Sequence, residues 1–460
     1  MGRTGAPLWM ALFIAILVGL ASTSVKAQQR SEAIAPDVSS APSISASPAS
    51  ASAELKPAGT SLSGISGNVA AVNVETGTGW LGQRLGFDQD SGVRVGGVWV
   101  GNASFLLTGG EKSAQSSFNS LLVADLSLDF GRLANIPGGQ FGAQFLQFNG
   151  QPTNAEAGVV TGYNGLTGPP PLVRSELYQL WWRQTLLDEK LVIRVGKLVP
   201  TYDFNNVARP VRTRDESLAI PAVTGLIYTP AFVNTTLLGV LPGYYNSAYG
   251  ITTTLTPTES LYFSYGAYDG NGVRKQTGLD NAPQFNGYYF NIAETGYAWV
   301  LGSGNMPGGI AAGGWHQTGS LAIPAKGIAE NGVSGFYTFG SQRLWNRNPG
   351  IDSSGISGFV QFGINDSRTL VAHRYLGFGA TGFGLIPGRP ADTIGAGLAW
   401  SWLNQNLGFN NDETILAAYY QAKVLDNLFL EPVVTYVPNP GATPGHRPVT
   451  ALTVQTTILF

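Results

Sequence analysis

Val449-Thr-Ala-Leu-Thr-Val-Gln-Thr-Thr-Ile-Leu-Phe460 alternates with a period of two. Leu452, Val454, Ile458 and Phe460 share one face, with Thr456 the single polar member, while Thr453, Gln455 and Thr457 share the other. Successive side chains of a strand point to opposite sides, so this segment reads as a strand between an apolar medium and a polar one. A soluble sheet can show the same pattern, so the rest of the chain has to decide what the apolar medium is.

The first residues carry Arg3, an apolar run from Leu8 to Leu20 and the small residues Val25 and Ala27 before Gln28. A positive start, a short apolar core and a small-residue site predict a secretory signal peptide over residues 1–27. The run is short for a membrane-spanning helix, and no other segment offers one. Excluding Arg3 and Lys26 leaves 24 basic against 28 acidic side chains, which speaks against a nucleic-acid-binding surface. With Cys 0, disulfides, thiolate metal sites and lipid attachment at a cysteine are excluded. Charged residues make up 12% and aromatics 11% of the chain, whereas soluble domains carry about a quarter charged residues. A wall that turns half its residues toward lipid needs few charges, and its rims need Trp and Tyr. Export, alternation and this composition together predict an all-β transmembrane antiparallel barrel in a bacterial outer membrane.

Residues 28–64 are dominated by Ala, Ser and Pro and cannot bury enough apolar surface to order themselves; they read as a periplasmic linker. From 65 to 460 the texture is uniform, which predicts one large barrel domain. Its clearest strand is Leu122–Phe130, with Leu122, Ala124, Leu126, Leu128 and Phe130 on one face and Asp125, Ser127 and Asp129 on the other. Twelve comparable stretches follow: 141–148, 178–184, 191–197, 251–255, 261–268, 290–301, 336–342, 356–364, 394–403, 415–424, 428–437 and 449–460. Less regular stretches at 93–107, 310–318 and 374–383 raise the total to about sixteen, and the total matters more than any member because barrel strands signal weakly one at a time. Aromatics gather near the predicted strand ends, as at Trp181-Trp182, Tyr244-Tyr245, Tyr288-Tyr289, Trp400 with Trp402, and Tyr419-Tyr420, and suggest membrane girdles. Leu218–Gly243 is apolar but broken by Pro221, Pro230 and Pro242, so it reads as a long loop with some strand, folded inward to narrow a pore.

Two Gly-x-Gly-x-x-Gly matches, at 77–82 and 377–382, open no amphipathic helix in a βαβ unit and are what a chain with Gly 61 offers by chance. Asp88 and Asp90 lack the remaining ligands of a calcium loop and read as a polar turn. His316, His373 and His446 have no nucleophile motif beside them. No catalytic residue, metal site or cofactor is therefore predicted. Charges on the polar strand faces are the better lead: Arg94, Asp125, Asp129, Arg183, Arg194, Lys197 and Glu294. Each would be costly against lipid, so they should face a lumen or lie at its rims, where charges set which solutes pass. The densest charged stretch adds Asp203, Arg209, Arg212, Arg214, Asp215 and Glu216 as pore-lining candidates.

Several segments resemble the carbohydrate-selective outer-membrane porins of the OprB type, in the order in which that family has them. They are Gly79-Trp-Leu-Gly-Gln-Arg-Leu85 with Gly92-Val-Arg94, Asp125–Phe141, Val192–Phe204, Leu241–Gly250, Gly340-Ser-Gln-Arg-Leu-Trp345 and the terminal Phe460. The resemblance implies a barrel of 16 strands with inward constriction loops, through which sugars and other small polar solutes diffuse into the periplasm. It implies that Phe460 belongs to the signal read by the barrel-assembly machinery, and it places the family's eyelet arginine on Arg84, although this chain reads Trp-Leu-Gly-Gln-Arg where the family has Trp-Gly-Gly-x-Arg. Porins of this kind are monomers or homotrimers, and the sequence leaves that choice open. The alternatives are an outer-membrane enzyme or adhesin on the same barrel, and a soluble glycan-binding β-protein.

Overall fold

A computed structural model describes residues 80–87, 91–110, 114–166, 171–207, 233–242, 246–271, 282–302, 306–349, 351–352 and 354–460. The predicted signal peptide and linker lie outside the described residues. A short helix, α1 (Trp80–Arg84), precedes the first strand. Sixteen strands then follow, each pairing antiparallel with its sequence neighbour, and the first and last close the ring. The first eight are β1 (Val93–Thr108), β2 (Ser116–Asp129), β3 (Gly139–Asn149), β4 (Val173–Leu186), β5 (Leu191–Leu198), β6 (Ala248–Leu255), β7 (Leu261–Asp269) and β8 (Tyr289–Leu301). The second eight are β9 (Met306–Ile323), β10 (Ile328–Asn346), β11 (Gly355–Asn365), β12 (Ala372–Phe383), β13 (Thr393–Leu403), β14 (Asp412–Leu425), β15 (Leu428–Val437) and β16 (Val449–Leu459). Each of the sixteen stretches expected from alternation falls in one of these strands.

The period-two pattern sorts every strand between two environments. On β16, Thr453, Gln455 and Thr457 are buried toward the lumen, and Leu452, Val454 and Ile458 occupy the outward face. On β15 the outward Leu430, Val434 and Tyr436 are exposed, while Glu431, Val433 and Thr435 are buried. On β2, Asp125 and Ser127 are buried in the lumen as the sequence suggested. The exposed outer belt of Phe105, Phe145, Val195, Ile251, Phe263, Ile310, Phe336, Val360 and Leu416 is the surface that a bilayer covers.

Closure depends on a close approach at the seam. Gly97 donates its N–H to the Phe460 carbonyl (2.9 Å) and accepts from the Phe460 N–H (3.1 Å). A Cβ at Gly97 would lie 2.5 Å from the Phe460 ring and 2.4 Å from the Val123 carbonyl, so only glycine fits there. The seven connections on the side of α1 and Phe460 include the shortest turns, which marks that rim as periplasmic by the rule for outer-membrane barrels.

The aromatic pairs divide between the two faces. Trp181 and Tyr419 are buried inside. Trp182 and Tyr420 point outward near the periplasmic rim, joined by the stacked Tyr297–Trp299 pair (ring centroids 6.3 Å) and by Trp345. Trp400 and Trp402 stack at 4.0 Å on the outer face of β13 toward the opposite rim, where the Trp400 indole donates to Asp412 (3.0 Å). Tyr244 and Tyr245 lie outside the described residues.

Candidate functional site: a lumen narrowed by two inward loops

Two loops fold into the barrel. The β5–β6 connection starts at the extracellular end of β5 with Pro200–Tyr202 in a single 3-10 turn. The carboxylate of Asp203, 4% exposed, pairs with the Arg194 guanidinium and accepts from the Thr252 hydroxyl (3.3 Å). Arg194 also lies 5.6 Å over the Trp181 ring. Two residues on, Asn205 takes a left-handed backbone (φ 50°), which Asn tolerates, and its N–H donates to Glu294 (2.7 Å). Glu294 also receives the hydroxyls of Tyr262 (2.5 Å) and Tyr337 (2.6 Å). Phe204 and Val207 bury into the apolar cluster beneath.

The far end of this loop docks on the other side of the lumen. The Asn234 side chain caps the turn Thr235–Leu237 by accepting from the Thr236 N–H (3.2 Å). The Thr235 hydroxyl pairs with the Ser401 hydroxyl of β13 at 2.9 Å, and the Asn365 amide of β11 donates to the Thr236 carbonyl (2.9 Å). β13 stands eight places from β5 in the sixteen-membered ring, so the two described ends of this connection dock on opposite sides of the barrel. Gly363 makes room for it, since a Cβ there would meet Asn234 and Thr236 oxygens at 2.5 Å. The inward fold expected for 218–243 is thus observed in its described part, although that part forms a 3-10 turn and no strand.

The β3–β4 connection is the second inward loop. It begins with the one-turn helix α3 (Thr153–Glu156), held by the Asn119 amide on Thr153 (2.8 Å). The Asn154 side-chain oxygen Oδ1 accepts from the N–H groups of Tyr163 (2.9 Å) and Asn164 (3.0 Å), folding the loop back on itself. Asn164 accepts from Asn102 and donates to Ser104 of β1, both at 3.0 Å. Ala157, Val159 and Tyr163 pack against Tyr375, Ala399, Ile415, Val437 and Val449 of the wall. Burial, with Glu156 adding to it, pushes the Tyr163 hydroxyl up to about 12, so it stays protonated as a neutral side chain in the loop core.

The wall beside these loops carries charge on one arc. Arg94, Arg183 and Arg194 sit on lumen positions of β1, β4 and β5. Arg94 is opposite Ser127, and Arg183 is opposite both Gln140 and Arg194. The Gln140 amide donates to Ser127 (3.1 Å) and its carbonyl accepts from Arg183 (3.3 Å), which links the arc laterally. Lys197 is buried at the extracellular end of β5, where Gly196 takes φ 140°, and its ammonium donates to the Leu177 carbonyl (2.6 Å) and lies 3.8 Å from Glu176. Arg174 completes that cluster with a 3.0 Å bond to Glu176 and a position 5.4 Å over Phe148. Next to β1 in the ring, β14 to β16 present Gln421, Glu431, Thr435 and Gln455, neutral or acidic.

Of the predicted pore-lining residues, Arg94, Arg183, Arg194 and Asp203 come together on or against the β1–β5 wall, with Lys197 nearby. Arg84 sits apart, exposed in the last turn of α1 ahead of β1. Arg209, Arg212, Arg214, Asp215 and Glu216, like Asp88 and Asp90, lie outside the described residues. Asp129 caps the helix α2 (Phe130–Ala134) at the rim, accepting from Gly131 (2.9 Å) and Arg132 (3.3 Å). The sequence did not point to Asn154, Asn164 or Glu413, whose roles depend on partners far away in the chain. His316, on the outer face, bonds Ser334 at 2.9 Å, and no group of ligating side chains able to hold a metal occurs among the described residues.

A closed barrel with an apolar belt, a polar lumen and loops folded into that lumen is an outer-membrane channel of the porin class. The sequence profile described as "Carbohydrate-selective porin, OprB family" matches residues 121–460, and the chain belongs to that family. It is a passive channel for sugars, not an enzyme. Among solved structures, the high-pH structure of Pseudomonas putida OprB matches over 83% of this chain and 97% of its own, at 17% identity and a TM-score of 0.71. The low-pH structure of the same protein matches over 85% and 100%, at 14% identity and a TM-score of 0.52. These likenesses concern the fold. No curated protein matches the sequence.

Proposed function

We propose that monosaccharides and other small polar solutes diffuse through this lumen into the periplasm, passing between the β5–β6 loop and the arginine arc of β1, β4 and β5. The docking of the loop's described ends inside the barrel, Asp203 on β5 and Thr235 on β13, supports this reading most directly, because it places loop backbone in the lumen beside fixed donors. Guanidinium and amide groups offer donors to sugar hydroxyls, while Asp203 and Glu294, already engaged, keep the loop in place. Arg84 and the charged residues Arg209, Arg212, Arg214, Asp215 and Glu216 are proposed as further solute contacts, separate from this arc. Weak, replaceable hydrogen bonds suit a pore that must release what it binds.

Liposomes loaded with the purified protein should swell in isotonic glucose or xylose faster than protein-free ones, and glucose should compete with xylose. Swelling equal to protein-free liposomes would sink the reading. Phe460, seated at the seam, is proposed as part of the signal to the assembly machinery, and its deletion should lower the yield of folded barrel in membranes. Cross-linking in native membranes decides between a single barrel and a homotrimer.

A further inference from the structure

We propose that Glu413 is the latch that holds the β3–β4 loop inside the lumen and so sets the largest solute the channel admits. Glu413 is the second residue of β14, at its extracellular end, and is fully buried. Its carboxylate receives four donors. One oxygen takes the Thr161 N–H (2.7 Å) and the Thr161 hydroxyl (2.5 Å). The other takes the N–H groups of Val160 (2.9 Å) and Gly441 (2.6 Å). An ionised carboxylate has about four acceptor positions, and here the protein fills them all.

These donors come from two different loops, so one side chain ties three parts of the chain together: the wall, the inward β3–β4 loop and the β15–β16 connection. The junction is tight as well as polar. A Cβ on Gly441 would come 2.9 Å from a Glu413 oxygen and 3.2 Å from a Val160 methyl, and the Ala442 N–H donates to the Gly158 carbonyl (3.1 Å). At the loop's other shoulder Asn164 is held by Asn102 and Ser104 of β1. The segment from Thr161 to Asn164 therefore bridges β14 and β1, three places apart in the ring, over the inner face of β15 and β16. Of the two attachments, only the one on Glu413 is a charged acceptor meeting backbone donors, the stronger kind of hydrogen bond. Glu413 touches no solute in this role; it is a positioning residue that acts through the loop. The role presupposes an open channel, which the unaltered protein tests by itself in the same assay.

Glu413→Gln preserves volume but turns an NH2 group toward two of the four donors. Single-channel conductance in a planar bilayer should then rise at least twofold, and liposome swelling should extend from monosaccharides to di- and trisaccharides. The chain has no cysteine, so Val160→Cys with Gly441→Cys in the E413Q background introduces a unique pair at the same junction, the added Cβ at 441 being taken up by a shift of the flexible end of Leu403, 2.3 Å away, and of the residue 413 side chain. Oxidation should return conductance and size limit to the unaltered values, and reductant should raise them again. A merely structural role for Glu413 would not give reversible control of solute size. Unchanged conductance and size limit in folded E413Q, or an oxidised pair that leaves them raised, would overturn the latch. Should E413Q fail to assemble, Thr161→Val, which keeps every backbone bond and loses the hydroxyl one, must give a smaller shift in the same direction; no shift there overturns it equally.

Discussion

Arg183 and Arg194 stand directly opposite each other on β4 and β5, both on the lumen side, although like charges across a ladder repel. Asp203, reaching down from the β5–β6 loop onto Arg194, offsets that repulsion, so the charge pattern of the wall and the position of the loop are one arrangement. Arg194→Ala strands the buried Asp203 carboxylate and should cost about 3–5 kcal/mol, the usual range for removing one partner of a buried pair. Arg183→Ala removes the bond to the neutral Gln140 side chain and should cost less. Unfolding in urea in the presence of detergent ranks the two. Both variants should move the zero-current potential under a KCl gradient toward cation preference, and a double variant with unchanged selectivity would remove the arc from the conduction path.

Glu294 fixes the loop root through Asn205, Tyr262 and Tyr337. Glu294→Ala frees three donors at once and should loosen the loop, seen as noisier and larger single-channel currents. Tyr337→Phe removes one bond to a charged acceptor, worth about 1.5–3 kcal/mol, and should leave the current pattern nearer to that of the unaltered protein. Equal behaviour of the two variants would show that Glu294 does not hold the loop.

Neighbouring residues on β15 separate the two faces cleanly. Val434 is 51% exposed on the outside and Thr435 is 1% exposed toward the lumen. Val434→Arg places a charge against lipid, with a penalty of about 2–4 kcal/mol near the bilayer midplane. Thr435→Arg should assemble with a smaller penalty and instead lower conductance by crowding the lumen. An inverted outcome, with loss of current at 434 and loss of stability at 435, would mean the strand is turned the other way.

The periplasmic turn before β13 carries a pH-dependent contribution. Burial works against ionisation of Asp392, but hydrogen bonds from Tyr420 and Arg389, and from the Lys423 N–H, outweigh it and hold the carboxyl below its ordinary value. A depressed carboxyl stabilises the fold at pH above its unfolded value near 4 and loses that contribution as pH falls through the lower folded value. Between pH 6 and 3 the melting temperature of the unaltered barrel should therefore drop more than that of Asp392→Asn. Parallel curves for the two would assign no part of the acid sensitivity to this turn.

Much of this arrangement was legible in the chain, because a barrel strand is written locally. Leu122 to Phe130 declares both of its faces within nine residues, and the irregular 93–107, 310–318 and 374–383 stretches needed only the count to be recognised. The charges of the arc were legible for the same reason: an arginine at a lumen position of an alternating segment can point only one way. The loops were less so. Pro221, Pro230 and Pro242 marked 218–243 as irregular, but nothing in Asn234-Thr-Thr-Leu237 names Ser401 or Asn365 as its dock. Glu413 illustrates the limit best, since its partners Val160 and Thr161 are 253 and 252 residues away and bond through backbone N–H groups, which every residue but proline carries.

The seam between Gly97 and Phe460 has a bearing on the order of events during insertion. Fifteen of the sixteen pairings join consecutive strands and can form as hairpins; the pairing of β1 with β16 alone waits for the last residues of the chain. Until then the curled sheet carries two raw edges, each a row of unpaired N–H and C=O groups ready to add a strand from any neighbour. In a membrane full of incomplete copies that is a hazard of cross-annealing between chains. A glycine with no side chain to obstruct the arriving aromatic makes the final hydrogen bonds quick to seat, and once they form the molecule has no edge left to offer.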